Sequence, residues 1–315
     1  MSRSSLSLSD QVAQPRGLVG GPTLLGIGAA KAGTTWLAEV LSAHPEVFVH
    51  PQKELNALLY ADLDSRIEEY QAYFAKAGDR PVRCDFSVRY LSAERAPAAA
   101  GRLAPDARLL MVLRNPVDQI QSHYWHIRRQ NFHQHEPVTD PPDLFAALDR
   151  FPDLLLEPAL YAKHLDRWLA HFPRERLLLV DHADLRRRPL EALDEICDFL
   201  AVDRFDFSEA LGQTSRTDAR GGVQPRGGPL GRLFPKLYVA ASRGPYQWLK
   251  KAFGVRQAEG LKRALRLRQV SEKVFFKPGY PGLDEAGRRR LYDRVAADVD
   301  RLVELAPFAS AWRPA

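Results

Sequence analysis

The chain has little cysteine. Cys84 and Cys197 are its only two, which excludes a disulfide scaffold and predicts a pair of buried thiols. It has no apolar run of about 18 residues, the length a transmembrane helix needs. Met1 to Gln14 is polar and serine-rich, without the apolar core of a secretory signal. A disordered N-terminal tail over 1–22 and a cytoplasmic protein are the expectations. Internal repeats, long low-complexity tracts and nucleic-acid-binding motifs are absent from the sequence, so nucleic acid is not an expected partner.

What is present suits a globular domain. The 315 residues are 45% apolar and 27% charged, enough to bury the core of one large domain. The formal charge of +6 suits an anionic ligand, an acidic polymer or a membrane surface, without choosing among them.

Strands and helices alternate. Apolar runs at 23–28, 47–49, 81–85, 108–113 and 176–181 read as strands. Residues 34–43, 64–75, 157–171, 190–200 and 283–305 read as helices, with Asp64 as an N-cap and Asn115-Pro116 opening a further helix. This order predicts an α/β fold: a mostly parallel central sheet flanked by helices, with a helical C-terminal elaboration. Residues 213–231 read as a loop, and the stretch after it is basic and aromatic. Ligands of such folds bind at the carboxyl ends of the strands.

Two motifs fall there. Gly28 to Thr35 reads GAAKAGTT between a strand and a helix. Its glycines stand at the two glycine positions of the phosphate loop G-x-x-x-x-G-K-[ST], but Thr34 takes the lysine position and the lysine comes earlier, as Lys31. A turn into a helix N-terminus presents free N–H groups to an anion, and the helix dipole favours negative charge there. Thr34 and Thr35 add hydroxyls and Lys31 adds a flexible point charge. A triphosphatase places the displaced lysine on the β/γ-phosphates, so ATP hydrolysis is disfavoured. A shorter phosphosulfate fits better.

Lys31-Ala32-Gly33-Thr34-Thr35-Trp36 resembles the 5′-phosphosulfate loop of PAPS-dependent sulfotransferases, with Ala30 where the family often has proline. The resemblance implies a P-loop-like sulfotransferase fold and PAPS as donor, PAP as product and no metal. It implies that Lys31 assists departure of the bridging oxygen, that Gly33, Thr34 and Thr35 hold the 5′-phosphate, with Ala32 in the same loop, and that Trp36 lies near the adenine. The second motif, LRNPVDQIQSHYWH, resembles the family's 3′-phosphate site, through Arg114 and Ser122. A planar guanidinium fork suits a terminal phosphate.

Sulfuryl transfer calls for alignment, charge stabilisation and a base. Lys53-Glu54 within HPQKELNALLY resembles the K-E element of glycan-type members. This implies Glu54 as base and Lys53 as an auxiliary charge, with His50 and His123 as rival bases. CDFSVRYL resembles the acidic-Ser-x-x-Tyr stretch through Asp85, Ser87 and Tyr90, but Phe86 stands where many glycan-type enzymes have a lysine. His123, His126, His133 and His135 form a loose cluster read as polar or substrate-facing rather than metal-binding. Arg220 and Gly221 fall where the family places a loop over the nucleotide and are candidate 3′-phosphate contacts.

The resulting organisation is one domain over 23–315, with a PAPS-binding core at 23–204 and a loop and helical acceptor or lid region at 205–315. The segment 232–268 is open between an acceptor lid, a peripheral membrane contact and a solvated face. The acceptor is a small molecule or a glycan, bearing a hydroxyl or an amine, and the oligomeric state is left open. A small-metabolite kinase and a non-catalytic binder of acidic polymer or lipid are the competing functions. Magnesium-dependent ATP binding marks the first, steep salt dependence without turnover the second.

Overall fold

A computed structural model describes residues 17–134, 143–213, 223–225 and 276–314, with side chains described over 17–128, 143–213 and 279–314. Arg220, Gly221, the side chains of His133 and His135, and the segment 232–268 lie outside the described residues.

Five parallel strands form the central sheet: β1 (Leu24–Gly28), β2 (Val47–Val49), β3 (Val82–Phe86), β4 (Arg108–Leu113) and β5 (Leu177–Asp181). Their order is β2-β3-β1-β4-β5. All five residues of β1 are buried, which is why this central strand reads as an unbroken apolar run rather than an alternating one. β3 pairs with one edge of β1 and β4 with the other. The segments leaving these strands therefore diverge at the carboxyl end of β1, where the order reverses and a crevice opens.

Helices cover the sheet: α1 (Thr34–Leu41), α2 (Ile67–Ala72), α3 (Ala96–Leu103), α4 (Pro116–Gln134), α5 (Leu144–Arg150), α6 (Pro152–Leu155), α7 (Tyr161–Leu169), α8 (His182–Arg187), α9 (Pro189–Leu200) and α10 (Ser208–Gln213). The main core joins the sheet to residues such as Leu37 and Leu41 of α1, Trp168 of α7 and Ile196 of α9. A second cluster anchors α4: Val117, Ile120, Tyr124 and Ile127 pack with Leu144 and Leu148 of α5 and with Leu291 and Val295 near the C-terminus. Cys84 and Cys197 are free and buried, as their type predicts. Among the described residues no helix is long and apolar enough to cross a membrane.

Several expectations change in the folded chain. The helix expected over 64–75 begins instead as a 3₁₀ turn, Leu63–Arg66, ahead of α2. The Ser65 N–H bonds the Asp62 carbonyl three residues back, so Asp64 sits inside that turn, paired with Arg102, and caps nothing. The last helix divides into α11 (Glu285–Asp293) and α12 (Ala296–Leu305). Bonds from Arg294 N to Leu291 O and from Val295 N to Tyr292 O tighten the chain between them, which lets Leu291, Val295 and Val299 all face the second cluster. Within the expected loop, β6 (Val223–Pro225) pairs antiparallel with β7 (Phe276–Pro278). Order begins before Thr23: Leu18 donates its N–H to the Leu103 carbonyl at 2.6 Å, and Pro22 is buried.

Candidate active site

The loop from Ala29 to Gly33 is built by backbone conformation. Lys31 and Gly33 both adopt left-handed φ, at 66° and 86°, a region that favours glycine and is uncommon for lysine. Gly33 is the N-cap of α1 and, lacking a side chain, caps none of its first N–H groups. No acidic residue occupies that first turn. The helix start thus offers free donors and positive dipole charge to an anion.

Neighbouring elements brace this loop. Ala29 donates to the Val112 carbonyl of β4 at 2.9 Å. The Arg114 guanidinium donates to the Lys31 carbonyl at 2.9 Å. The fully buried Gln119 side chain donates to the Ala30 carbonyl at 3.2 Å, while its amide oxygen has no partner among the described residues. Tyr161 of α7 donates its hydroxyl to the Arg114 carbonyl at 3.0 Å. Lys31 and Arg114 therefore belong to one compact site. Ser122 lies two turns into α4, half-buried, and the Asn115 side chain accepts from Val117 N at 3.0 Å, capping that helix as its sequence predicts.

The predicted base loop meets the phosphate loop directly. Lys53 Nζ stands 3.4 Å from Thr34 Oγ1 and 3.4 Å from Glu54 Oε1. Its side chain is 17% exposed and that of Glu54 is 36% exposed, so Glu54 keeps access to solvent or substrate. Burial lowers the Lys53 ammonium below its ordinary range, with Glu54 acting in the opposite sense.

Lys31, Gly33, Thr34, Thr35 and Glu54 line one cleft of about 990 Å³, together with His123 and His126 of α4. Arg89, Arg95, Asp153 and Leu154 stand on its other walls. A cleft of this size accommodates a nucleotide or a sugar. Burial, followed by the nearby Lys31 charge, lowers His123 to a pKa of about 4, despite a bond to the Leu154 backbone that raises it. His50 does not line the cleft. Its Nδ1 accepts from Gln52 N at 3.0 Å and its ring packs edge-on to Tyr73. Trp36 is half-buried against the main core, and its indole N–H is buried without a partner among the described residues. No group of three or more His, Cys, Asp or Glu among the described residues could hold a metal ion.

Phe86 has an explanation in packing. It is buried, and its ring lies over Gly26 of β1, where an added Cβ would stand 2.1 Å from Phe86 Cδ1. The ring fills the sheet interior, not the cleft. Sequence reasoning missed Gln119, Tyr161 and His182. The His182 ring lies beside the phosphate loop, with its Cδ2 3.5 Å from where a Gly33 Cβ would be. His182 directly follows the end of β5, a place from which side chains face the ligand in open parallel sheets, so that signal was available.

The sulfotransferase domain family matches residues 22–210. The mouse bifunctional heparan sulfate N-deacetylase/N-sulfotransferase 4 is 33% identical over 210 residues, covering 60% of this chain and 23% of the relative. The human enzyme numbered 3 in that series is 31% identical over 206 residues, with the same coverage. The chain thus spans about a quarter of the length of these curated relatives. The crystal structure of a sulfotransferase from Alicyclobacillus acidocaldarius is 25% identical, with a TM-score of 0.52, over 63% of this chain and 88% of that one. With a phosphate loop lacking the P-loop lysine, an arginine beside it at the end of β4 and a family match over most of the described core, the chain belongs to the PAPS-dependent sulfotransferases.

Proposed function

We propose that the chain transfers a sulfuryl group from PAPS to a hydroxyl or amine of a saccharide and releases PAP. The juxtaposition of Arg114, Lys31, Thr34 and Lys53 carries this reading: one ammonium bridges the phosphate-loop hydroxyl and the Glu54 carboxylate, and the guanidinium lies against the same loop. Thr34 fills the lysine position of a P-loop, and Lys53 reaches its hydroxyl from another strand end, which disfavours the kinase alternative. The saccharide class rests on the heparan sulfate enzymes among the relatives and on the open cleft beside Glu54.

In this mechanism the helix start and Lys31 hold the phosphosulfate, and Arg114 with Ser122 holds the 3′-phosphate. The acceptor lies in the cleft, in line behind sulfur. Its oxygen or nitrogen forms the new bond to sulfur as the bond from sulfur to the bridging oxygen breaks. The electron pair of that broken bond stays on the 5′-phosphate of PAP, where Lys31 stabilises it. Glu54 takes the acceptor's proton, and Lys53 moderates the charge between base and donor. Calorimetry without metal tests the donor assignment: PAP binds and ATP binds far more weakly. Equal affinity for both would overturn it. With radiolabelled PAPS, Glu54→Gln retains PAP binding and loses transfer, whereas normal transfer would remove Glu54 as the base.

A further inference from the structure

The segment that carries Glu54 is held in an unfavourable backbone shape. Glu54 and Asn56 both have left-handed φ, at 67° and 55°, which non-glycine residues adopt at a cost when nothing compensates. Compensation comes from the end of β3. Glu54 N donates to the Phe86 carbonyl at 3.1 Å. Asn56 N donates to Ser87 Oγ at 3.0 Å, and Leu58 N donates to the Tyr90 hydroxyl at 3.3 Å. The Asn56 side chain closes the turn onto the Glu54 carbonyl at 3.0 Å.

Behind these hydroxyls sits Asp85, fully buried. Ser87 donates to its Oδ1 at 2.7 Å, and Tyr90 and Tyr70 donate to its Oδ2 at 2.7 and 2.9 Å. The proton directions follow from counting. A backbone N–H can only donate, so Ser87 Oγ and the Tyr90 oxygen must accept from Asn56 and Leu58. Their own protons must then point to Asp85. Asp85 accepts from all three hydroxyls and so fixes which lone pairs face the base segment. Burial pushes its carboxyl upward, and the three hydroxyl bonds oppose that shift.

We infer that Asp85 is a positioning residue: through Ser87 and Tyr90 it locks the Glu54 segment in the conformation that presents the base to the cleft. The inference rests on Glu54 being the base. An isosteric amide would place N–H groups where hydroxyl protons already point. An amide nitrogen at the Oδ1 position would turn the Ser87 hydroxyl, and one at the Oδ2 position would turn both Tyr90 and Tyr70, disturbing the acceptor geometry toward Asn56 N or Leu58 N.

The test uses the full chain, radiolabelled PAPS and a de-N-sulfated glycosaminoglycan oligosaccharide as acceptor, with water as the acceptor if the sugar is refused. Asp85→Asn and Ser87→Ala lower kcat about 100-fold, in line with a base displaced by about 1 Å, while PAP affinity stays within about twofold. Tyr70→Phe separates positioning from general stability. It removes an equally buried bond to Asp85 from a residue of α2 that reaches no N–H of the base segment, so it lowers the melting temperature yet keeps kcat within about threefold. Wild-type kcat in Ser87→Ala beside an inactive Glu54→Gln overturns the positioning role and leaves the base assignment standing. The same is true if kcat falls as far in Tyr70→Phe as in Ser87→Ala. Full turnover in Glu54→Gln removes both.

Discussion

Arg114 has one role in the folded chain and a second in the proposed complex. Its fork donates to the Lys31 carbonyl, and in the proposed complex it also grips the 3′-phosphate. A lysine keeps the charge but cannot serve both partners in plane. Arg114→Lys is therefore expected to weaken PAP binding about tenfold to 100-fold, measured by calorimetry, with Arg114→Ala at the upper end or beyond. His123 provides a pH signature. Its pKa in the folded chain is lowered to about 4, against about 6.5 unfolded. The stability tied to its neutral ring is complete above about 6.5 and is lost as the pH falls toward about 4, because only the unfolded chain takes up the proton. Urea unfolding from pH 7.5 down to about 4.5 should show a smaller loss in His123→Gln than in the unaltered chain. A neutral ring of such low basicity also makes His123 a weaker base than a histidine of ordinary pKa at neutral pH.

At the scale of elements, α7 connects the donor site to the C-terminal helices. Its N-terminus is capped by Asp298 of α12, whose carboxylate accepts from Ala162 N at 3.0 Å and Lys163 N at 2.9 Å. The adjacent Tyr161 holds the Arg114 carbonyl, and the Trp312 ring stands edge-on to Tyr161. Asp298→Ala removes a cap shared between two helices. Denaturant unfolding should show a loss of about 2 kcal/mol. The strong elements were legible: β2 and β4 have the bounds their apolar runs predict, and the Asn115 cap opens α4 as expected. The breaks in 64–75 and 283–305 were not legible. Each depends on i→i+3 bonds that place Leu63 or Val295 against partners distant in sequence.

For the whole molecule, the sheet order concentrates the site. β1 lies between β3 and β4, so the segments leaving all three strands border the one crevice that opens where they part. A ligand held by several of these segments favours the folded state by mass action. PAP at 100 times its Kd adds about 2.7 kcal/mol, a rise in melting temperature of about 4 °C. The same concentration of ATP without metal should leave the melting temperature nearly unchanged, as measured by calorimetric or fluorescence melts.

Local chemistry is written in the residues themselves. The glycines and threonines of 28–35 and the Arg114 position at a strand end mark a candidate anion site, and the Lys53-Glu54 pair marks the proposed base through its resemblance to glycan-type members, because backbone conformation, charge and hydrogen-bonding capacity are properties of short segments. What touches what is not a local property. That Lys53 bridges Thr34 to Glu54, that His50 stays outside the cleft that His123 lines, that Phe86 fills the space over Gly26, and that Asp85 orients two hydroxyls toward the Glu54 segment were decided only when elements distant in sequence came together, as Lys53 and Thr34 do across 19 residues and Asn56 and Ser87 across 31. Sheet pairing and burial, not sequence proximity, set those distances.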